Sequence, residues 1–207
     1  MTDLTLHAGE RLLVATTNAG KLQEMRTLLA GLPLTVVALD SVPPVEAPEE
    51  TGETFEENAR LKARFYAQAT GLLAVADDSG FEVDALDGAP GVWSARYPGA
   101  TYAERFVRLN AEVARRGSTD RRARFVCAIA LARGDEILFE ARGVVEGELA
   151  FEPRGTNGFG YDPIFLHPPS GRTFGELTEA EKGDISHRGQ ALRLLRAFVV
   201  PRLEPTP

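Results

Sequence analysis

Cysteine is all but missing from the chain: Cys127 stands alone. No internal disulfide can form, and a structural zinc site, which needs several thiolate or imidazole ligands, is not expected. Cys127 lies inside the apolar run Phe125 to Leu131, where the bland expectation is a small buried hydrophobe. Long apolar runs are missing too. Nothing nears the ~20 residues that span a bilayer, and the first residues lack the apolar stretch of a secretory signal. A cytoplasmic protein with no membrane partner is the expectation. Basic residues are outnumbered, 23 Lys+Arg against 30 Asp+Glu, for a net charge of −7. That balance disfavours nucleic acid and anionic surfaces as general partners, while leaving room for a local basic pocket. There is no internal repeat and no low-complexity tract. What is present is an ordinary globular composition, 43% apolar over 207 residues. It fits one domain, residues 1–207, simple or two-lobed, better than two independent units.

The chain is organised around Ala74 to Asp84. An apolar run, Leu72 to Ala76, suits a buried strand, and it meets two adjacent carboxylates, Asp77 and Asp78, before the turn pair Ser79-Gly80. The expectation is that the acids end that strand and that a new one runs from Phe81 to Leu86. In open α/β sheets the C-terminal strand edge is where ligands bind. Alternation sends neighbouring side chains to opposite faces, so one aspartate can do chemistry while the other supports it. A solvated Asp-Asp-Ser-Gly turn is the competing reading of those four residues.

Other stretches carry complementary chemistry. After a tail (residues 1–10), a first strand, Leu12 to Thr16, runs into Thr17-Asn18-Ala19-Gly20-Lys21. A helix follows with Leu22, Met25, Leu28, Leu29 and Leu32 at helical spacing. A helix start attracts anions, and Asn18 and Lys21 add an amide and a cation there. It is not a P-loop, because Leu22 follows the lysine, and Asn18 is equally well read as a plain helix cap. A strand over Leu34 to Ala38 and a Pro/Glu-rich segment, Asp40 to Thr51, precede the capping box Thr54/Glu57. That box opens a helix over Phe55 to Thr70, stopped by Gly71. On this helix Asn58 and Lys62 share a stripe with Leu61, Phe65 and Ala69.

Further along, Trp93 beside Arg96 and Tyr97 is expected at a core edge or subunit interface. Thr101 and Glu104 cap a helix to about Arg116. Arg124 to Ala132 and Ile137 to Val145 form a hairpin through Arg133 to Glu136, so the sheet is mixed. Gly155 to Gly160 holds three glycines, which let backbone approach a ligand, with Phe159 offering a ring face. The segment Ile164 to Leu166 follows at once and pins the loop. Thr178 and Glu181 cap a short helix, and Lys182, His187 and Arg188 gather positive charge near the start of the last helix, whose Leu192, Leu195 and Phe198 point inward.

Taken together, ATTNAGK (15–21), EETGETFEENARLKA (49–63), ADDSGFEVDALDGAPGVWSARY (76–97), GTNGFGYDPIF (155–165) and ELTEAEKGDISHRGQAL (176–192) resemble the inosine/xanthosine triphosphate pyrophosphatase family. The resemblance implies an α/β fold, an elongated mixed β-sheet with flanking helices forming two lobes around a central cleft. It implies a homodimer that uses Mg²⁺ to cleave non-standard purine nucleoside triphosphates (ITP, dITP, XTP) to monophosphate and pyrophosphate, cleansing the nucleotide pool. Residue by residue, Thr16, Thr17, Asn18, Ala19, Gly20 and Lys21 match the phosphate-binding turn, with Thr17 where glycine is common. Glu50 and Asp78 match the magnesium-linked acids, and Lys62 a phosphate-facing lysine. Asp78 matches the catalytic aspartate, Asp77 its support and Ser79 a substrate contact. Phe159, Gly160, Tyr161 and Asp162 match the base-binding loop, with Lys182, His187 and Arg188 completing that pocket. A septum-inhibitor-type pyrophosphatase for pyrimidine or modified nucleotides is one alternative, though it would not need the Ser186-His187-Arg188 run. A nucleotide sensor that binds without cleaving is another, though it would not need a general base.

Overall fold

A computed structural model of the chain describes residues 5–204. In chain order these form β1 (Leu6–His7), β2 (Arg11–Val14), α1 (Ala19–Leu29), β3 (Thr35–Ala38), α2 (Phe55–Thr70), β4 (Leu73–Val83), α3 (Tyr102–Arg115), β5 (Arg122–Arg133), β6 (Glu136–Leu149), β7 (Phe165–His167), β8 (Arg172–Thr173), α4 (Glu179–Ile185), α5 (His187–Val199) and β9 (Leu203–Glu204). Seven strands make one sheet in the order β3-β2-β4-β5-β6-β7-β8. The pairs β2–β3 and β2–β4 are parallel, whereas β6–β7 and β7–β8 are antiparallel. The fold is therefore α/β with a mixed sheet and flanking helices, as expected. No described helix is long and apolar enough to cross a membrane.

Two compact units share the chain: residues up to Asp78, Cys127–Gly143 and Arg188 onward in the first, Ser79–Val126 and Val144–His187 in the second. The core of the first joins Leu12, Val14, Leu73 and Val75 of the parallel strands to Met25 and Leu29 of α1, Leu192 and Leu195 of α5, and Cys127. The core of the second is aromatic, built on Phe81, Phe106, Phe125, Tyr161, Phe165 and Phe174. Each such side chain, fully buried, stabilises its unit by about 1.5–3 kcal/mol.

Local chemistry sets the helix ends. Thr54 Oγ1 accepts from the Glu57 N–H while Glu57 accepts from the Thr54 N–H, and Gly71 ends α2 in the left-handed region at φ 68°. Thr178 and Glu181 repeat the box on α4. The inward stripe of α2 is Phe55, Asn58, Ala59, Ala63, Tyr66 and Ala67, one position round from the expected one, and Ala69 is exposed. Trp93 does not enter a core; it is 60% exposed beneath the Arg96 guanidinium. Within the expected tail, Leu6 is fully buried because β1 pairs with β9; residues 1–4 lie outside the described residues.

The central stretch corrects the sequence reading. β4 runs unbroken from Leu73 to Val83, so the two acids lie within a strand and Ser79-Gly80 is not a turn. Turn composition misleads here because both acids are buried and matched by charged or amide partners, so the backbone need not turn out to water. The edge is still real. β2 pairs with β4 only as far as Val14 opposite Val75, and the Ala15 N–H then closes the ladder on the Val75 carbonyl at 2.9 Å. Asp77 and Asp78 follow immediately, past the C-terminal end of a parallel neighbour.

Candidate active site

Alternation along β4 places Leu73, Val75 and Asp77 on one face and Ala74, Ala76 and Asp78 on the other. The partners agree. Asp77 meets Lys21 of α1 and Arg188 of α5, whereas Asp78 meets Asn58 and Lys62 of α2.

The turn before α1 is closed by its own side chains. Thr16 Oγ1 accepts from the Asn18 N–H at 3.2 Å, and Asn18 Oδ1 accepts from the Lys21 N–H at 3.0 Å, so Asn18 is the helix N-cap. The first N–H groups of a helix have no acceptor inside it, which leaves those of Ala19 and Gly20 directed out of the helix start toward any anion. Thr17 is exposed, and the sole non-glycine residue with positive φ among the described residues is Asp87. The turn therefore does not require glycine at Thr17.

Asp77 is the more confined acid. Its Oδ2 accepts from Lys21 Nζ at 3.1 Å and from Arg188 Nη2 at 3.1 Å, and the Cys127 thiol lies 3.9 Å away. Burial alone would raise its pKa, but Lys21, Arg188 and Lys62 outweigh burial and hold it well below the usual carboxylate range. Arg188, 1% exposed, is also bound by Glu24, and burial is again overcome, by Asp77 and Glu24, which raise its pKa. Cys127 behaves as the buried apolar residue expected, its thiol pushed up to about 12, first by burial and then by Asp77.

Asp78 differs. Burial raises its pKa and Glu50 adds to the rise, and together they exceed the opposing pull of Lys62 and Lys21. Lys62 Nζ stands 3.1 Å from Asp78 Oδ1 and 2.7 Å from Glu50 Oε1. Burial favours its neutral form, yet Asp78, Asp77 and Glu50 keep its pKa raised. Two carboxylate oxygens thus converge on one cationic centre. Among the described residues no three ligating side chains gather as a metal cluster. Glu50 and Asp78 instead have the chemistry of a partial site for a hard, hydrated cation such as magnesium, which typically takes one or two carboxylates and draws further oxygens from water and phosphate. A further buried acceptor, Asp77 Oδ1, has no hydrogen-bond donor among the described residues.

In the second unit the glycine loop is held in one shape. Gly155, Gly158 and Gly160 have φ of +79°, +70° and +64°, and a Cβ on Gly158 would collide with the Asp162 carboxylate. Asp162 Oδ2 accepts from the Phe159 N–H at 2.7 Å and from Lys182 Nζ at 2.6 Å, and that ammonium sits 4.8 Å from the Phe159 ring centre. Asn157 anchors the loop further through the Gly175 and Leu177 carbonyls. Tyr161 is buried: its ring stacks on Phe81, and its hydroxyl donates to the Ser94 carbonyl at 2.8 Å. Its phenol thus belongs to the core of this unit, whereas Phe159 and Gly160 are half-buried and residues 155–158 of the loop are exposed. His187 is buried and stacks on Phe125 at 4.7 Å, while Ser79 is half-buried on β4.

The expected Lys182/His187/Arg188 cluster is thus held by different partners: Lys182 by Asp162 and Phe159, His187 by Phe125, and Arg188 by Asp77 and Glu24. Two residues of the site were read only in part or not at all from the sequence. Glu24 gave no local signal beyond following Lys21 by one helical turn. Asn58 was visible on the Lys62 stripe, but nothing in the sequence pointed to Asp78 as its partner.

Comparison with known proteins agrees with the fold. The chain matches the Ham1 family over residues 12–198. It is 55% identical over 184 residues to a dITP/XTP pyrophosphatase of Gloeobacter violaceus, covering 89% of this chain and 91% of the relative. It is 50% identical over 197 residues to a dITP/XTP pyrophosphatase of Deinococcus deserti, covering 95% and 93%. Among solved structures, a HAM1 protein from Coxiella burnetii superposes with a TM-score of 0.84 at 46% identity, covering 93% of this chain and 99% of that one. On the strength of a match spanning nearly every element that carries the site, the chain belongs to the Ham1 family.

Proposed function

We propose that the protein hydrolyses non-standard purine nucleoside triphosphates (ITP, dITP and XTP) to the monophosphate and pyrophosphate, with Mg²⁺ as cofactor and Asp78 as general base. The observation that carries this reading is the contrast between adjacent acids. Asp78 has a raised pKa beside Lys62 and Glu50, while Asp77 is held ionised by Lys21 and Arg188. A carboxyl tuned upward is a better proton acceptor near neutral pH, and one tuned downward is a fixed negative charge. A protein that only bound nucleotide would have no use for the first.

The residues divide the work. The α1 start and Lys21 bind phosphate oxygens through N–H groups and charge. Lys62 stabilises negative charge developing on the departing pyrophosphate. Asp78 orients the attacking water and takes its proton. Glu50 and Asp78 would hold magnesium, which when bound neutralises phosphate charge and polarises the phosphoryl oxygen. For the base, Phe159 offers a ring face and the Gly158–Tyr161 backbone a wall. Arg188 is donor-only and already oriented by two carboxylates, so with His187 it suits a six-keto oxygen and disfavours the six-amino group of adenine. The names of the relatives support the substrate class. The reading further takes the protein as a cytoplasmic homodimer that keeps these nucleotides out of the polymerisation pool. A panel of triphosphates assayed separately for pyrophosphate and orthophosphate tests it: pyrophosphate from ITP and XTP, with little from ATP, supports it. Equal use of ATP and ITP rejects the specificity.

A further inference from the structure

We propose that Asn58 is a positioning residue whose single amide fixes both the Asp78 carboxylate and the segment that carries Glu50. This rests on the reading of Asp78 as the base. Asn58 is 2% exposed in the interior of α2. Its Nδ2 donates to Asp78 Oδ2 at 3.2 Å and to the Gly52 carbonyl at 3.4 Å, while its Oδ1 accepts from the Gly52 N–H at 2.8 Å. Glu50, two residues before Gly52, reaches Lys62, and Lys62 reaches the other oxygen of Asp78. The contacts close a ring: Asn58, Asp78, Lys62, Glu50, Gly52 and back to Asn58.

Helix formation does not call for this residue. The start of α2 is already satisfied by Thr54 and Glu57. Asparagine is a mediocre helix former, and burying an amide is costly unless its hydrogen bonds are made. The two donors on Asp78 come from adjacent turns of one helix, Asn58 on Oδ2 and Lys62 on Oδ1, so the carboxylate cannot rotate without breaking a bond. The amide carries no charge, so it orients the base without neutralising it. Gly52 is fitted to it: a Cβ there would lie 2.7 Å from Asn58 Oδ1.

Two variants separate the two duties. Asn58→Asp keeps an acceptor for the Gly52 N–H but loses both donors and sets a second carboxylate against Asp78. Its kcat on ITP is expected to fall about 10²-fold, the usual cost of a misplaced reacting group, with KM moved little. Amide hydrogen exchange over residues 49–53 should stay near wild type. Asn58→Ala should lose kcat similarly and exchange faster over 49–53, with protection of the rest of α2 as the control for folding. Turnover of Asn58→Asp at the wild-type level overturns the link to Asp78. Unchanged exchange at 49–53 in folded Asn58→Ala overturns the link to the Glu50 segment. If the wild type releases no pyrophosphate from any triphosphate, the proposed function fails, and the exchange measurement, which needs no substrate, then decides the Asn58–Gly52 tie by itself.

Discussion

Asp77 and Asp78, neighbours on β4, are driven in opposite directions: Asp77 is held down by Lys21 and Arg188 against its burial, and Asp78 is raised by burial and Glu50 against Lys62 and Lys21. The cause is geometric. One strand residue apart, they face opposite sides of the sheet, where α1 and α5 bring two cations to one and α2 brings an amide and a shared cation to the other. Two carboxylates thereby acquire different work.

Asp78→Asn should lower kcat by ~10²–10⁴-fold, the range for loss of a general base, with more lost if the same group holds the metal. Circular dichroism and thermal melting should show a folded protein. The pH profile follows from the raised pKa. The base must be ionised to accept a proton, so kcat/KM should climb with pH through a value above the usual ~3.9 for aspartate. Glu50→Gln removes a contribution that raises it and should move that limb to lower pH.

Asp77→Asn should chiefly affect stability. Its folded pKa is depressed, so its contribution is fully present above the unfolded value of ~3.9 and lost as pH falls through the folded value. Removing the charge takes the carboxylate from Lys21 and leaves Arg188 with Glu24 as its remaining acidic partner, a loss of up to about 3–5 kcal/mol, the range for a broken buried pair. Urea melts at neutral pH should show that loss, and the variant should show a weaker decline in stability under acid.

Arg188→Ala should reduce discrimination between ITP and ATP by roughly tenfold or more, since a paired polar contact to a base edge is worth ~1–3 kcal/mol. Because the same guanidinium binds Asp77 and Glu24, the variant should also melt earlier. Ratios of kcat/KM measured well below the melting point separate the two effects. Unchanged selectivity would move the reading of the six-position to another residue.

Gly158→Ala should weaken nucleotide binding. The residue sits at φ +70° and any Cβ meets the Asp162 carboxylate, which must give up either the Phe159 N–H or Lys182. Left-handed backbone for a non-glycine residue costs on the order of 1 kcal/mol or more before the clash is counted. KM for ITP should rise by more than kcat falls.

Much of this was legible in the chain because its signals are local. The two capping boxes, the Asn18 turn, the hairpin and the position of Lys62 each depend on residues within a few positions of one another. What could not be read is what tertiary contact supplies. Asp-Asp-Ser-Gly has the composition of a turn, and only partners as distant as Arg188, 111 residues on, turn it into the interior of a strand. Glu24 and Arg188 meet across 164 residues. Tyr161 entered the reading only through the resemblance of its loop to a base-binding loop, and what the sequence could not show is that Ser94 and Phe81 engage its hydroxyl and its ring.

The central claim is that water attacks the inner phosphorus and pyrophosphate leaves whole. Purified protein with Mg²⁺ and ITP, followed by phosphorus NMR, tests it most directly: inosine monophosphate and pyrophosphate should appear in equal amounts, with no diphosphate intermediate. Orthophosphate released with accumulating inosine diphosphate would contradict the account.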